Sequence, residues 1–175
     1  RNMFFVDGQT LEFTDDTQLG QFVVGWPIAK WRNITSTGVL GSDGTGNFVD
    51  TDFPMFRLAD VYLMYAECAA RGAGDVSLGL GYVNAIRERA YGDAAHNVAS
   101  ITPESVLAER ARELQFEAQR RTDLIRFGLF TGGEYVWAFK GGPYNGTSVS
   151  EHLNLFPISS DDIIANPNLI QNPGY

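Results

Sequence analysis

The stretch Leu58-Ala59-Asp60-Val61-Tyr62-Leu63-Met64-Tyr65-Ala66-Glu67-Cys68-Ala69-Ala70 decides the fold class. Leu58, Val61, Tyr62, Tyr65, Cys68 and Ala69 recur at steps of three and four, the spacing that puts side chains on one face of a helix. Gly72 and Gly74 stop this helix, since a residue without Cβ readily takes the left-handed conformation that closes a helix C-terminus. Asp75 or Ser77 can cap a second helix, which runs to about Ala90 with Leu80, Val83 and Ile86 on its buried side. So short a connection between two amphipathic helices predicts an antiparallel hairpin.

Downstream, Thr102 is placed to cap a third helix, Pro103 suits its first position, and Glu104 favours the positive end of its dipole. Leu107, Ala111, Leu114, Ala118, Arg121 and Ile125 then continue at steps of three or four up to Gly128. The pattern predicts one unbroken helix from Pro103 to Phe127, about 37 Å long at about 1.5 Å per residue. Beyond Gly128 the periodicity ceases. Thr131-Gly132-Gly133 and Lys140-Gly141-Gly142-Pro143 flank the aromatic run Tyr135-Val136-Trp137-Ala138-Phe139. The end, Leu153 to Tyr175, is rich in Asn and Pro, which rules out a long helix. It is expected to wrap the helical body as packed coil anchored by Leu155, Phe156, Ile158, Ile163, Ile164 and Leu169. One helical turn is expected near Asp161 to Ala165.

Upstream the regime changes. Residues 1–51 carry glycine, aromatic and β-branched residues in short runs, with strand candidates at Arg1 to Val6 and Leu19 to Val24 and a loop at Ser36 to Gly46. The expected fold is therefore mainly α: a helix hairpin plus a long helix, with irregular loops and a few short strands. Residues 1–51 form a loop and short-strand segment, and residues 52–175 a helical region with a coil tail. Because the chain opens on Arg1 within strand-like sequence, it is expected to be the C-terminal part of a longer protein.

Composition excludes several functions. Thirteen Lys and Arg against 21 Asp and Glu give a formal charge of −8, and the pI is near 4.6. Nucleic-acid binding needs clustered basic residues that this chain lacks, and an anionic membrane surface is disfavoured for the same reason. Neutral ligands and basic protein partners stay open. The single cysteine, Cys68, forbids an internal disulfide and reads as a small buried hydrophobe within the first helix. No run reaches the ~20 apolar residues of a spanning helix, and no signal peptide or lipidation motif is visible.

The chemistry-bearing residues are each open to a bland reading. Glu109, Glu113 and Glu117 form an acidic row at steps of four, which could supply a glycosidase acid and base only if their environments drove their pKa values apart. Arg110, Arg112, Arg120 and Arg121 crowd the row, and pairs such as Glu109 with Arg112, or Glu117 with Arg120 or Arg121, make it a charge-laced helix. No Glu is followed three residues later by His, so a di-metal carboxylate motif is missing; His96 and His152 sit in polar loops. No nucleophile-elbow motif occurs. Gly41 to Gly46 lacks the ending of a phosphate loop and the first ligands of a calcium loop, and reads as an exposed turn. The non-helical aromatics Trp26, Trp31, Tyr135, Trp137 and Tyr144 lie in or beside glycine-rich connections. A flat ring matches the apolar face of a pyranose, but large rings also pack irregular segments onto helices. Packing is favoured for Trp26 and Trp31; both readings stay open for the 135–144 loop.

Four segments, taken together, carry a resemblance. Asp52 to Glu67, Val83 to Ala90, Glu109 to Gly128 (with Glu109-Arg110-Ala111-Arg112-Glu113-Leu114 and Arg120-Arg121-Thr122-Asp123-Leu124-Ile125-Arg126-Phe127-Gly128), and the end, Leu155-Phe156-Pro157-Ile158 with Asn166 to Tyr175, resemble the motifs of the SusD/RagB family in their order. Thr122 stands where an aromatic is usual, and Ser159 where a second proline is usual. The resemblance implies a SusD-like α-α superhelix fragment built on tetratricopeptide-like helix pairs, with Tyr62 to Ala90 one such pair. It also implies a lipoprotein of the outer-membrane cell surface, anchored through an N-terminal region outside this sequence. Such a protein would capture oligosaccharide for a TonB-dependent SusC-like transporter, with no catalytic residue, metal or cofactor. The alternative is a transporter-lid or scaffold role with a peptide or other non-sugar ligand. The matching motifs are structural and carry no sugar contacts, so the candidate ligand-binding residues, Trp137, Tyr135 and Tyr144, rest on the aromatic loop alone.

Overall fold

A computed structural model describes residues 30, 31, 33–35, 37–45 and 47–175. The strand candidates at Arg1 to Val6 and Leu19 to Val24, and Trp26, lie outside the described residues. The chain divides into two compact units, Arg1–Phe116 and Glu117–Tyr175. Among the described residues the fold is mainly α, and pairing of extended segments is limited to two isolated bridges, Ile34 with Leu40 and Gly132 with Val149.

In the first unit, α1 (Leu58–Ala70), α2 (Val76–Tyr91) and α3 (Pro103–Glu113) follow one another. The end of α1 is closed by Gly72 at φ +90°, with Gly72 N–H donating to Ala69 O and Ala73 N–H to Cys68 O; this satisfies carbonyls a helix end leaves open. Asp75 caps α2 by accepting from the N–H groups of Ser77 and Leu78. Thr102 and Ser105 cap α3 reciprocally, with Pro103 in the first turn. Tyr62 stacks on Tyr82 at 4.2 Å, while Ala69, further along α1, meets Gly79, further back on α2. The hairpin is thus antiparallel.

The face of α1 that turns inward is not the one its spacing picks out. Asp60, Leu63, Ala66, Glu67 and Ala69 are buried; Leu58 and Val61 are 62% and 53% exposed, and Cys68, expected inside, is also exposed. The helix is apolar nearly all round, so periodicity alone cannot choose a face. Size chooses it: a Cβ on Gly79 would lie 3.0 Å from Ala69 Cβ and 3.3 Å from Ala66 Cα. The close approach of α2 needs small residues on both helices, and the core of Leu63, Ala66, Val83, Ile86, Ile101 and Val106 forms around it.

The expected helix from Pro103 to Phe127 is broken. α3 ends at Glu113, α4 runs from Arg120 to Arg126, and Phe116 and Ala118 between them stand at φ +61° and +58°. In a continuous helix the carbonyls of Glu113, Gln115 and Phe116 would accept from N–H groups one turn on. Here side chains distant in sequence take them. Lys30 Nζ donates to Glu113 O at 3.0 Å and Gln115 O at 2.8 Å. Arg57 Nη2 donates to Glu113 O at 2.7 Å, and Trp31 Nε1 to Phe116 O at 3.1 Å.

In the second unit, Gly128 at φ +70° closes α4, with Leu129 N–H on Leu124 O. A loop closed by the Gly132–Val149 bridge follows, then a short 3-10 helix, Glu151–Asn154, and α5, Ser160–Ala165. Ser159, where the family usually has proline, caps α5 by accepting from Asp161 N–H. The tail is tied by polar groups more than by the apolar anchors expected. Leu155, Phe156, Ile164 and Leu169 are exposed. Gln171 instead exchanges hydrogen bonds with both main-chain groups of Ile158 at 2.8 and 2.9 Å. Asn172 donates to Phe156 O at 2.7 Å and the Tyr175 hydroxyl to Leu155 O at 2.8 Å.

Candidate functional site

The candidate site grows out of the loop after α4. Four glycines there, Gly132, Gly141, Gly142 and Gly146, have positive φ. Gly146 has no alternative: a Cβ would fall 2.3 Å from Trp137 O and 2.5 Å from Val136 Cγ1. Phe139 also stands at φ +66°, a conformation unfavourable for a bulky side chain. Its N–H donates to Tyr144 O at 3.0 Å, and its ring meets the Tyr144 ring edge-on at 5.4 Å.

This folding brings Tyr135 and Trp137 together in a cleft of about 330 Å³ lined by Arg120, Arg121, Leu124, Phe130, Tyr135 and Trp137. That volume lies at the small end of ligand sites, about 300–1,000 Å³. The Trp137 ring is 5.9 Å from Tyr135 and 6.0 Å from Phe130, centre to centre, and Trp137 is 36% exposed. Arg120 Nη2 donates to the Tyr135 hydroxyl at 2.8 Å and its guanidinium lies over the same ring. Arg121 sits over Phe130 and Phe156 and donates to the carbonyls of Leu153 and Asn154. The guanidiniums thus orient the aromatic walls. Tyr144 does not line this cleft.

The cleft lining contains no carboxylate. The acidic row lies elsewhere and is occupied by cations. Glu109 receives Arg87 at 2.7 Å and Arg112 at 2.6 Å, the latter as its spacing predicts. Glu113 receives Arg57 at 2.5 Å and Arg89 at 2.6 Å. Glu117 lies within the break between α3 and α4, so the three acids share no single helix. No group of His, Cys, Asp and Glu that could hold a metal occurs among the described residues. Trp31 stacks on Phe53 at 5.2 Å and, with its N–H on Phe116 O, serves packing. A second hollow, about 250 Å³ between α1 and α2, is lined by Arg57, Leu58, Ala59, Tyr62, Ala85, Ile86 and Arg89.

With this arrangement in view, comparison with known proteins is decisive. The profile of the SusD family matches residues 14–175. The chain belongs to the SusD family. It is 44% identical over 154 residues to the starch-binding protein SusD of Bacteroides thetaiotaomicron, covering 88% of this chain and 27% of that protein. A SusD-like protein, P25, of Formosa agariphila is 33% identical over 130 residues, covering 69% and 24%. Among solved structures, a SusD superfamily protein of Bacteroides vulgatus superposes with a TM-score of 0.57 at 34% identity, covering 77% of this chain and 30% of the other. Surface glycan-binding protein A of B. thetaiotaomicron gives 0.59 at 26% identity, covering 78% and 29%. The chain thus spans about a quarter of the length of these two curated relatives.

Sequence reasoning found two of the six cleft residues, Tyr135 and Trp137. Arg120 and Arg121 were visible only as partners for Glu117, because an arginine beside a glutamate on a helical pattern reads as an ion pair. Phe130 follows the Gly128 stop and carried no signal. In the sequence Lys140 only opens the Lys140-Gly141-Gly142-Pro143 flank of the aromatic run, and nothing there signals a buried ammonium.

Proposed function

We propose that the chain is part of a non-catalytic protein that binds oligosaccharide at the cell surface, with the Tyr135–Trp137 cleft contributing to sugar contact. The observation that carries this reading is the convergence of the exposed Trp137 ring and the half-buried Tyr135 ring on one cleft whose walls also carry the guanidiniums of Arg120 and Arg121. Rings can cover the apolar faces of pyranoses while guanidiniums and main-chain groups meet the hydroxyls. The relatives' names, starch-binding and surface glycan-binding, support the same ligand class. Two-carboxylate hydrolysis needs a pair of acids flanking the scissile bond; the cleft wall has none, and Glu109 and Glu113 are each held by two arginines.

On this reading the whole protein is lipid-anchored in the outer membrane and hands its glycan to a SusC-like, TonB-dependent transporter. Co-purification of such a transporter with the tagged full-length protein tests that assembly; recovery of the protein alone from gently solubilised membranes contradicts it. Incubation with soluble starch should release no reducing sugar above background. Maltoheptaose is the first ligand to test, and the Trp137→Ala variant should bind it about tenfold or more weakly, an effect of about 1.4 kcal/mol or greater.

A further inference from the structure

Lys140 is 2% exposed, and among the described residues its ammonium meets no carboxylate. Nζ donates to Tyr135 O at 2.6 Å and Gly132 O at 2.8 Å, with Thr131 O at 3.5 Å. It lies 4.8 Å from the centre of the Trp137 ring. The main chain of Lys140 is tied to the same parts: its N–H donates to Trp137 O at 3.0 Å, and its carbonyl accepts from Thr147 N–H at 2.9 Å.

Burying an ammonium costs several kcal/mol unless its three donors find acceptors, and an apolar side chain could fill this space without that cost. What the ammonium adds is direction. Carbonyls from residues 131, 132 and 135 converge on one point, and the indole of Trp137 presents its ring to the same point. We propose that Lys140 is a positioning residue for the sugar-contacting surface, fixing the Trp137 ring relative to Tyr135; this rests on the reading of the cleft as a carbohydrate site. Arginine cannot replace it, because a planar fork does not aim its donors at convergent carbonyls as a compact ammonium does.

The test compares Lys140→Met and Lys140→Arg with the unaltered full-length protein labelled with 5-fluorotryptophan, the Trp137 signal being assigned by its loss in Trp137→Phe. The proposal expects both variants to keep the helical circular dichroism, to move the Trp137 fluorine resonance, and to bind maltoheptaose about tenfold more weakly. In the Trp137→Ala background, Lys140→Met should add no further loss. An unmoved fluorine resonance, or a loss of affinity that persists without Trp137, overturns it. Should the variants fail to fold, isotope-labelled lysine in the unaltered full-length protein decides, the Lys140 ammonium being assigned by correlation to its own backbone amide. A slowly exchanging ammonium signal shifted by the indole supports the proposal, and one exchanging like free lysine overturns it. If Trp137→Ala binds maltoheptaose as tightly as the unaltered protein, the carbohydrate reading of the cleft fails and the proposal with it. Unchanged affinity in Lys140→Met alone, with Trp137→Ala impaired, removes only the positioning role.

Discussion

Asp60 and Arg110 meet at 2.8 Å with side chains 7% and 3% exposed, deep enough that neither charge can turn to water. Removing Asp60 takes a buried counter-charge from Arg110, so Asp60→Ala should lower the unfolding free energy by about 3–5 kcal/mol, whereas Asp60→Leu with Arg110→Met should recover most of it; urea denaturation measures both. The exposed turn holds a different carboxylate. Asp43 accepts from the Thr45 hydroxyl, chiefly, and from the N–H groups of Thr45, Phe48 and Asn47, which lower its pKa from 3.8 to about 2. A depressed carboxylate pKa contributes stability above the unfolded value that is lost as pH falls through the folded one. The amides of Thr45, Asn47 and Phe48 should therefore stay protected at pH 5 and lose protection as pH falls from about 4 towards 2, read by hydrogen exchange. Protection that is flat across that range contradicts the assignment.

At the scale of elements, the break between α3 and α4 shows what could be read in advance and what could not. The caps at Asp75 and Thr102 and the stop at Gly128 were legible, because each is a local interaction between a side chain or a glycine and its own helix end. The break was not. Leu114, Gln115, Phe116, Glu117, Ala118 and Gln119 contain neither glycine nor proline, and every one is compatible with a helix. The interruption is imposed by Lys30, Trp31 and Arg57, whose donors take the carbonyls a longer helix would use. Tertiary contacts override local preference there. Lys30→Met should consequently destabilise the first unit by about 2 kcal/mol, the loss of charged hydrogen bonds to two carbonyls; a thermal melt unchanged from the parent protein would argue against it. The inward face of α1 was hidden for another reason, since an all-round apolar helix leaves the choice to the fit of Ala66 and Ala69 against Gly79. In the loop, glycine-flanked rings marked Tyr135 and Trp137, but the positive-φ glycines Gly141, Gly142 and Gly146 let the chain turn Tyr144 onto Phe139, a path that spacing does not encode.

At the scale of the whole molecule, family membership rests on the match over residues 14–175, and the helices, ion pairs and tail clasp explain why its motifs are structural. A formal charge of −8 is no obstacle to a neutral glycan, whose recognition depends on ring faces and directed hydrogen bonds. On the proposed reading the cleft covers only a short stretch of such a polymer, and contacts elsewhere in the full-length protein share the affinity. Calorimetric titration of the full-length protein with maltoheptaose, unaltered and as Trp137→Ala, tests the central claim most directly. The account predicts saturable binding that weakens about tenfold or more on removing that ring; no binding, or two superimposable isotherms, would contradict it.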